Sequence, residues 1–96
     1  MKFLLTWRLH QDKRLEALKG FSAMSAADDA ADMGDKIKLI GRWHDVSAGT
    51  GVAIFESDDA AAIANWALNW IPFLDSVVSP VLDDEEVRTV GRARKF

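Results

Sequence analysis

Apolar and polar residues alternate along 2–9. Phe3, Leu5, Trp7 and Leu9 share one parity; Leu4, Thr6 and Arg8 share the other. That period predicts a strand with one strongly apolar face and one mixed face. From Asp12 the period changes. Leu15, Ala17, Leu18, Phe21 and Met24 fall on one side of a helical wheel, with Lys13, Glu16, Lys19 and Gly20 on the other. A helix over 12–25 follows, with Asp12 at its positive end. The Ala- and Asp-rich segment 26–35 reads as a fraying helical turn and then a loop, with Gly34 as the stop. Alternation returns over 36–44, with Ile37, Leu39 and Trp43 on one face and Lys38, Ile40, Arg42 and His44 on the other. Gly41 lies on the apolar face, where a missing side chain lets something large approach. A turn over 47–51 closes a hairpin onto a strand over 51–56. Ser57 then reads as a helix cap, with Asp58 and Asp59 in the first turn and Pro72 ending the helix after Ile71. Its apolar arc holds Ala60, Ile63, Trp66, Ala67 and Trp70, with Asn65 and Asn69 on the flank. A last strand spans 74–82, where Pro80 is tolerable only at an edge or a bulge. Residues 83–96 form a tail or a short helix.

The order is βαββαβ, which predicts an α+β fold, the ferredoxin-like split βαβ. In this reading strands one and three lie parallel in the centre, strands two and four at the edges, and both helices cover one face. The other face would carry Leu4, Thr6, Arg8, Ile40, Arg42, His44, Val52, Ile54 and Glu56. It is too apolar to be left in water and too charged for a plain core. A second copy of the chain is the simplest cover, so a homodimer packed sheet to sheet is expected, a dimeric α/β barrel.

Composition adds limits more than direction. The 96 residues make one domain, 1–96, because a second would leave neither half enough core. A net charge of −3 gives no general pull toward nucleic acid or membrane. The basic cluster Arg88, Arg92, Arg94 and Lys95 reads as a solvated tail after the acidic run from Asp83 to Glu86. With no cysteine, disulfides, thiolate catalysis and cysteine-ligated metals are excluded. The opening apolar run stops at Arg8 without a small-residue cleavage site, and no run approaches the ~20 residues that span a bilayer. A soluble, cytoplasmic protein is expected.

Several local strings resemble one family. They are Met1-Lys2-Phe3, Thr6-Trp7, Gly41-Arg42-Trp43-His44, Glu56-Ser57-Asp58-Asp59, the spaced Trp66 and Trp70, and Pro80-Val81. Together they resemble a family of short bacterial proteins, domain-of-unknown-function family 3303, in the dimeric α/β-barrel superfamily. The resemblance covers nearly the whole chain and implies the ferredoxin-like fold and the face-to-face dimer. It implies no activity. The superfamily holds cofactor-free monooxygenases, haem-degrading enzymes, dye-type peroxidases and binding proteins, and fold does not choose among them. Segment 26–35 departs from the family pattern, which has a shorter, Pro-containing connection there.

The candidate chemistry is sparse. His10 and His44 are the two histidines, and the reading above puts them at opposite ends of the sheet, so no metal site is expected. Arg8 and Glu56 would sit near the same ends of neighbouring parallel strands, with Arg42 within reach of the same network. Such a set could anchor an anionic or carbonyl group and supply a base, or could simply fix the register of a dimer. Four tryptophans, Trp7, Trp43, Trp66 and Trp70, form a large aromatic core or the walls of a pocket for a flat ligand. The second helix has no histidine to hold haem, and no phosphate loop or nucleophile elbow is present. No cofactor is therefore expected. The leading expectation is a small homodimer that binds a hydrophobic or anionic small molecule or acts as an interaction module, with no nucleic-acid or membrane partner. Its candidate ligand-binding residues are Trp7, Arg8, Arg42, Trp43, His44, Glu56, Trp66 and Trp70. The alternative is a cofactor-independent monooxygenase or isomerase acting on an aromatic or quinone-like substrate. In it Arg42 and His44 would contact substrate, Glu56 would be a base, Trp66 a wall, and Asn65 a further polar group.

Overall fold

In the computed structural model, which describes residues 1–96, four strands form one sheet: β1 (Lys2–Leu9), β2 (Lys38–Asp45), β3 (Thr50–Glu56) and β4 (Leu74–Val81). Their order is β2-β3-β1-β4. Four helices accompany them: α1 (Arg14–Ser22), α2 (Ala26–Met33), α3 (Ala60–Trp70) and α4 (Asp84–Ala93). This is the ferredoxin-like α+β arrangement, with β1 and β3 central. The strand directions correct the sequence reading. β1 pairs antiparallel with both β3 and β4, and β2 pairs antiparallel with β3. β1 and β2 therefore run the same way, as a split βαβ requires when a third strand is inserted between them. It follows that His10 and His44 lie at the same end of the sheet.

The helix-covered face holds the core. Leu5, Ala53, Phe55 and Trp66 are buried together with Ile37, and Phe3, Trp7 and Met33 pack against them. Trp66 meets Phe55 edge-on at 5.3 Å between ring centroids, the geometry favoured by aromatic quadrupoles. A side chain on Gly51 would overlap the Trp7 ring, so that glycine is the gap on the apolar face. Gly41, expected to supply it, instead lies under the ring of Trp43.

A bulge in β2 explains the exchange. The register pairs Leu39 with Phe55, but Gly41 with Ile54. One extra residue, Ile40, enters between them and inverts the facing of everything after it. Arg42 and His44 pair with Ala53 and Gly51 and so share the helix-covered face, while Trp43 pairs with Val52 on the open face. Strict alternation through 36–44 predicts the opposite side for each of these.

The helices differ from expectation in instructive ways. Asp12 belongs to a short 3-10 turn, Gln11–Lys13, and α1 follows it. Leu15, on the predicted apolar side, is 84% exposed. Arg14 takes the inner position one turn ahead of Ala17 and Leu18, and its Nη2 donates to the Ala48 carbonyl at 3.0 Å in the hairpin turn. Segment 26–35 is mostly helix. Ser25 accepts from the Asp28 amide, and Asp28 accepts from the Ser25 amide, a reciprocal cap that starts α2. Gly34, at φ +82°, ends it as predicted. Asp59, not Ser57, caps α3 by accepting from the Ala62 amide. Residues 83–96 include α4, which starts with a second reciprocal cap, Asp83 with Glu86, and buries no residue.

Candidate functional site

The register aligns side chains in rows across the helix-covered face. His44, Gly51, Trp7 and Ser76 form one row; Arg42, Ala53, Leu5 and Val78 form the next. Ala17, Leu18 and Phe21 of α1 and Trp66, Ala67 and Trp70 of α3 stand above them. Between sheet and helices a cleft of about 90 Å³ remains open to solvent. Its walls are apolar, with Arg42, His44 and Ser76 as the polar exceptions.

Arg42 and His44 are each held by neighbours at this cleft. Arg42 donates through Nη1 and Nη2 to the two carboxylate oxygens of Asp29 on α2, at 3.3 and 2.7 Å. The Phe21 ring covers its guanidinium at 4.7 Å. One turn along α2, Asp32 accepts from the Trp66 indole at 3.2 Å and the Trp70 indole at 2.7 Å, and from the Asn69 amide at 3.1 Å. Residues three apart share a helix face, so α2 presents both carboxylates to the groups that roof the cleft. His44 packs between Trp7 and Phe21, with ring centroids 5.2 and 5.0 Å away. Partial burial, and next the Arg42 charge, push its imidazole below the usual histidine value, so it is neutral at pH 7 and offers one donor and one acceptor.

Of the residues singled out from sequence, Trp7, Arg42, His44, Trp66 and Trp70 line the cleft. Arg8, Glu56 and Trp43 do not. Arg8 pairs across the sheet with Thr50 and Asp75, whereas Glu56 pairs with Lys2 and Lys38 at the opposite end of the strands. The expected Arg8–Glu56 contact is therefore absent, and the Glu56 carboxylate instead lies 3.8 Å from the Lys2 ammonium. Asn65 is exposed and does not line the cleft. His10 sits 3.2 Å from Asp75, apart from the cleft. No group of histidines and carboxylates has metal-holding geometry. Sequence reasoning missed Phe21 and Ser76 as lining residues, and Asp29 and Asp32 altogether. The signal for the last two was the Ser25-x-x-Asp28 spacing, which starts a helix and puts Asp29 and Asp32 on one side of it.

Chemically, the site combines flat apolar walls, a guanidinium already neutralised by a carboxylate, and one neutral imidazole. It can hold an aromatic ring and offer it single hydrogen bonds. It presents no carboxylate to the cleft interior.

None of the curated proteins matches this chain. Among solved structures, an uncharacterized NIPSNAP domain protein from Burkholderia xenovorans is similar, with 18% identity and a TM-score of 0.49 over 86% of this chain and 95% of that one. The family model described as "Domain of unknown function (DUF3303)" matches residues 1–95, and the chain belongs to that family.

Proposed function

We propose that the chain binds a small, flat, largely hydrophobic molecule in the cleft between the sheet and α1 and α3, and that it does so as a cytoplasmic homodimer. The observation that carries the binding reading is the convergence of Trp7, Phe21, Trp66 and Trp70 with Arg42 and His44 on one solvent-open cavity of about 90 Å³. Apolar walls with a few convergent polar groups are the usual anatomy of a ligand site.

The dimer reading rests on the open sheet face. Ile40, Trp43 and Val77 on that face are 50%, 60% and 63% exposed. With Leu4, Val52 and Ile54 they form an apolar band across all four strands. A contiguous band of this kind marks an interaction surface. Rows of charge flank it. At one end Lys38, Glu56 and Lys2 stand beside Asp83 and Glu86, which lie 3.3 and 3.2 Å from the Lys2 ammonium; at the other stand Asp45, Arg8 and Asp75. A second copy related by a twofold axis would cover the band with the same band, as an isologous interface does.

The oxygenase or isomerase reading gains less support. Its base, Glu56, is on the far face, and Asn65 is outside the cleft. Native mass spectrometry of protein gently purified from its host tests the proposal. A dimer carrying a reproducible small-molecule mass supports both parts. A dimer that is repeatedly bare leaves only the assembly, and a bare monomer overturns the whole reading.

A further inference from the structure

We propose that the cleft selects an uncharged aromatic ring, and that Asp29 sets this selectivity by occupying the guanidinium of Arg42. The inference rests on the ligand-binding reading above and narrows its ligand class. Among the cleft-lining residues Arg42 alone carries a fixed positive charge, and it would be the natural anchor for a carboxylate or phosphate. That role is already filled. Both terminal nitrogens of Arg42 face the oxygens of Asp29 at 3.3 and 2.7 Å, and Phe21 covers one face of the group. The side chains of this pair are only 16% and 21% exposed. A ligand anion could reach only the N–H groups that Asp29 leaves free, on a guanidinium whose charge is already balanced, so the attraction would not offset the water that the anion gives up.

The charge balance points the same way. Asp29 and Asp32 on α2 oppose the single guanidinium, so the groups around the cleft hold one negative charge in excess, and this disfavours an anion. A cation fares little better. It must give up water to enter apolar walls, while the Asp29 oxygens are taken by Arg42 and the Asp32 oxygens by the two indoles and Asn69. An uncharged ring meets neither cost. It can bury its faces against Trp66 and Trp70 and turn one polar substituent to the neutral His44 imidazole or the Ser76 hydroxyl. The cavity volume of about 90 Å³ suits a single ring, with any larger remainder extending through the open mouth.

Benzamide, benzoate and benzamidinium share one ring and differ in charge, so they separate these possibilities. Titration into ¹⁵N-labelled protein would be followed at the indole N–H signals of Trp66 and Trp70. Benzamide is expected to shift both, with a Kd on the order of 1 mM for so small a ligand. Benzoate and benzamidinium should bind about tenfold more weakly, since each must desolvate its charge beside groups whose opposite charges are already paired. Asp29→Asn frees the guanidinium and should raise benzoate to the level of benzamide or above. Tightest binding by benzoate or benzamidinium would overturn the selectivity while leaving the cleft as a ligand site. No response of either indole to any of the three at about 20 mM would overturn the ligand reading itself. An unchanged ranking in folded Asp29→Asn protein would remove Asp29 as the selector. The ranking in the unsubstituted protein needs no variant, so the proposal remains open to refutation if Asp29→Asn does not fold.

Discussion

Replacing Asp32 should loosen α2 and the two tryptophans together. The Asp32 carboxylate accepts from the Trp70 indole at 2.7 Å, from the Trp66 indole at 3.2 Å and from the Asn69 amide at 3.1 Å. A hydrogen bond to a charged group contributes about 1.5–3 kcal/mol when well buried. Here only the short Trp70 bond earns the middle of that range. The Trp66 bond is longer, and the Asn69 bond is exposed, so the three together are worth about 2–3 kcal/mol. Alanine is the better helix former by about 0.5 kcal/mol, which offsets part of the loss in α2. Asp32→Ala should therefore cost about 2 kcal/mol. Asp32→Asn, which keeps one acceptor oxygen and nearly the same helix propensity, should cost about 1 kcal/mol. Urea unfolding followed by far-ultraviolet circular dichroism is the appropriate assay, because tryptophan fluorescence would respond to the substitution itself. An unchanged m-value would locate the effect in the folded state. The near-ultraviolet signal of the indoles should fall in the same variants. If Asp32→Ala stayed within about 0.5 kcal/mol of the parent, water would be replacing these bonds at no loss, and α2 would not be latched through Asp32.

Other substitutions probe the rest of the frame. Gly51→Ala drives a methyl into the Trp7 ring inside the cleft and should cost about 1–3 kcal/mol, whereas Gly41→Ala pushes only on the exposed Trp43 and should cost less; paired thermal melts decide between them. Ser25→Ala removes half of the α2 cap and should cost about 1 kcal/mol, with faster amide hydrogen exchange confined to α2. The His44 imidazole is harder to protonate in the fold than in the unfolded chain, so the unfolded state binds its proton first as pH falls. Its contribution is complete above pH 6.5 and declines as pH drops from there toward the lower folded value. His44→Gln should flatten that part of the stability–pH curve, and a curve identical to the parent's would refute the assignment. Asp28, Asp45 and Asp83 are lowered by accepted hydrogen bonds, so their contribution is intact above pH 3.8 and lost only below it.

The element order, the identity of the core strand faces of β1 and β3, and the Trp66–Trp70 wall were all legible from period alone, because long alternating or helical runs leave little freedom. What failed did so for specific reasons. A bulge at Ile40 leaves no mark in the hydrophobic pattern, since Ile37, Leu39 and Trp43 still alternate in the chain. Parity then put Arg42 and His44 on the open face and Trp43 in the core, the reverse of the fold. Strand direction is set by topology and not by period: a parallel β1 and β3 would bring Arg8 beside Glu56, whereas the antiparallel register sets Arg8 beside Thr50. Segment 26–35 reads as only a fraying helical turn before a loop because its helix has few large apolar residues; capping and two outward-reaching carboxylates, not burial, hold it. Period places Leu15 inward, whereas in the fold Leu15 is exposed and Arg14 turns inward, donating to the Ala48 carbonyl of the hairpin turn.

The central claim is that the cleft beneath α1 and α3 receives an aromatic ligand, and a crystal structure of the protein grown with benzamide tests it most directly. The account predicts ring density between the sheet and the Trp66 and Trp70 indoles, with Arg42 still paired to Asp29 and the ligand's polar atoms toward His44 or Ser76. Density on the open sheet face beside Trp43, or a cleft closed by the indoles with no ligand inside, would contradict it.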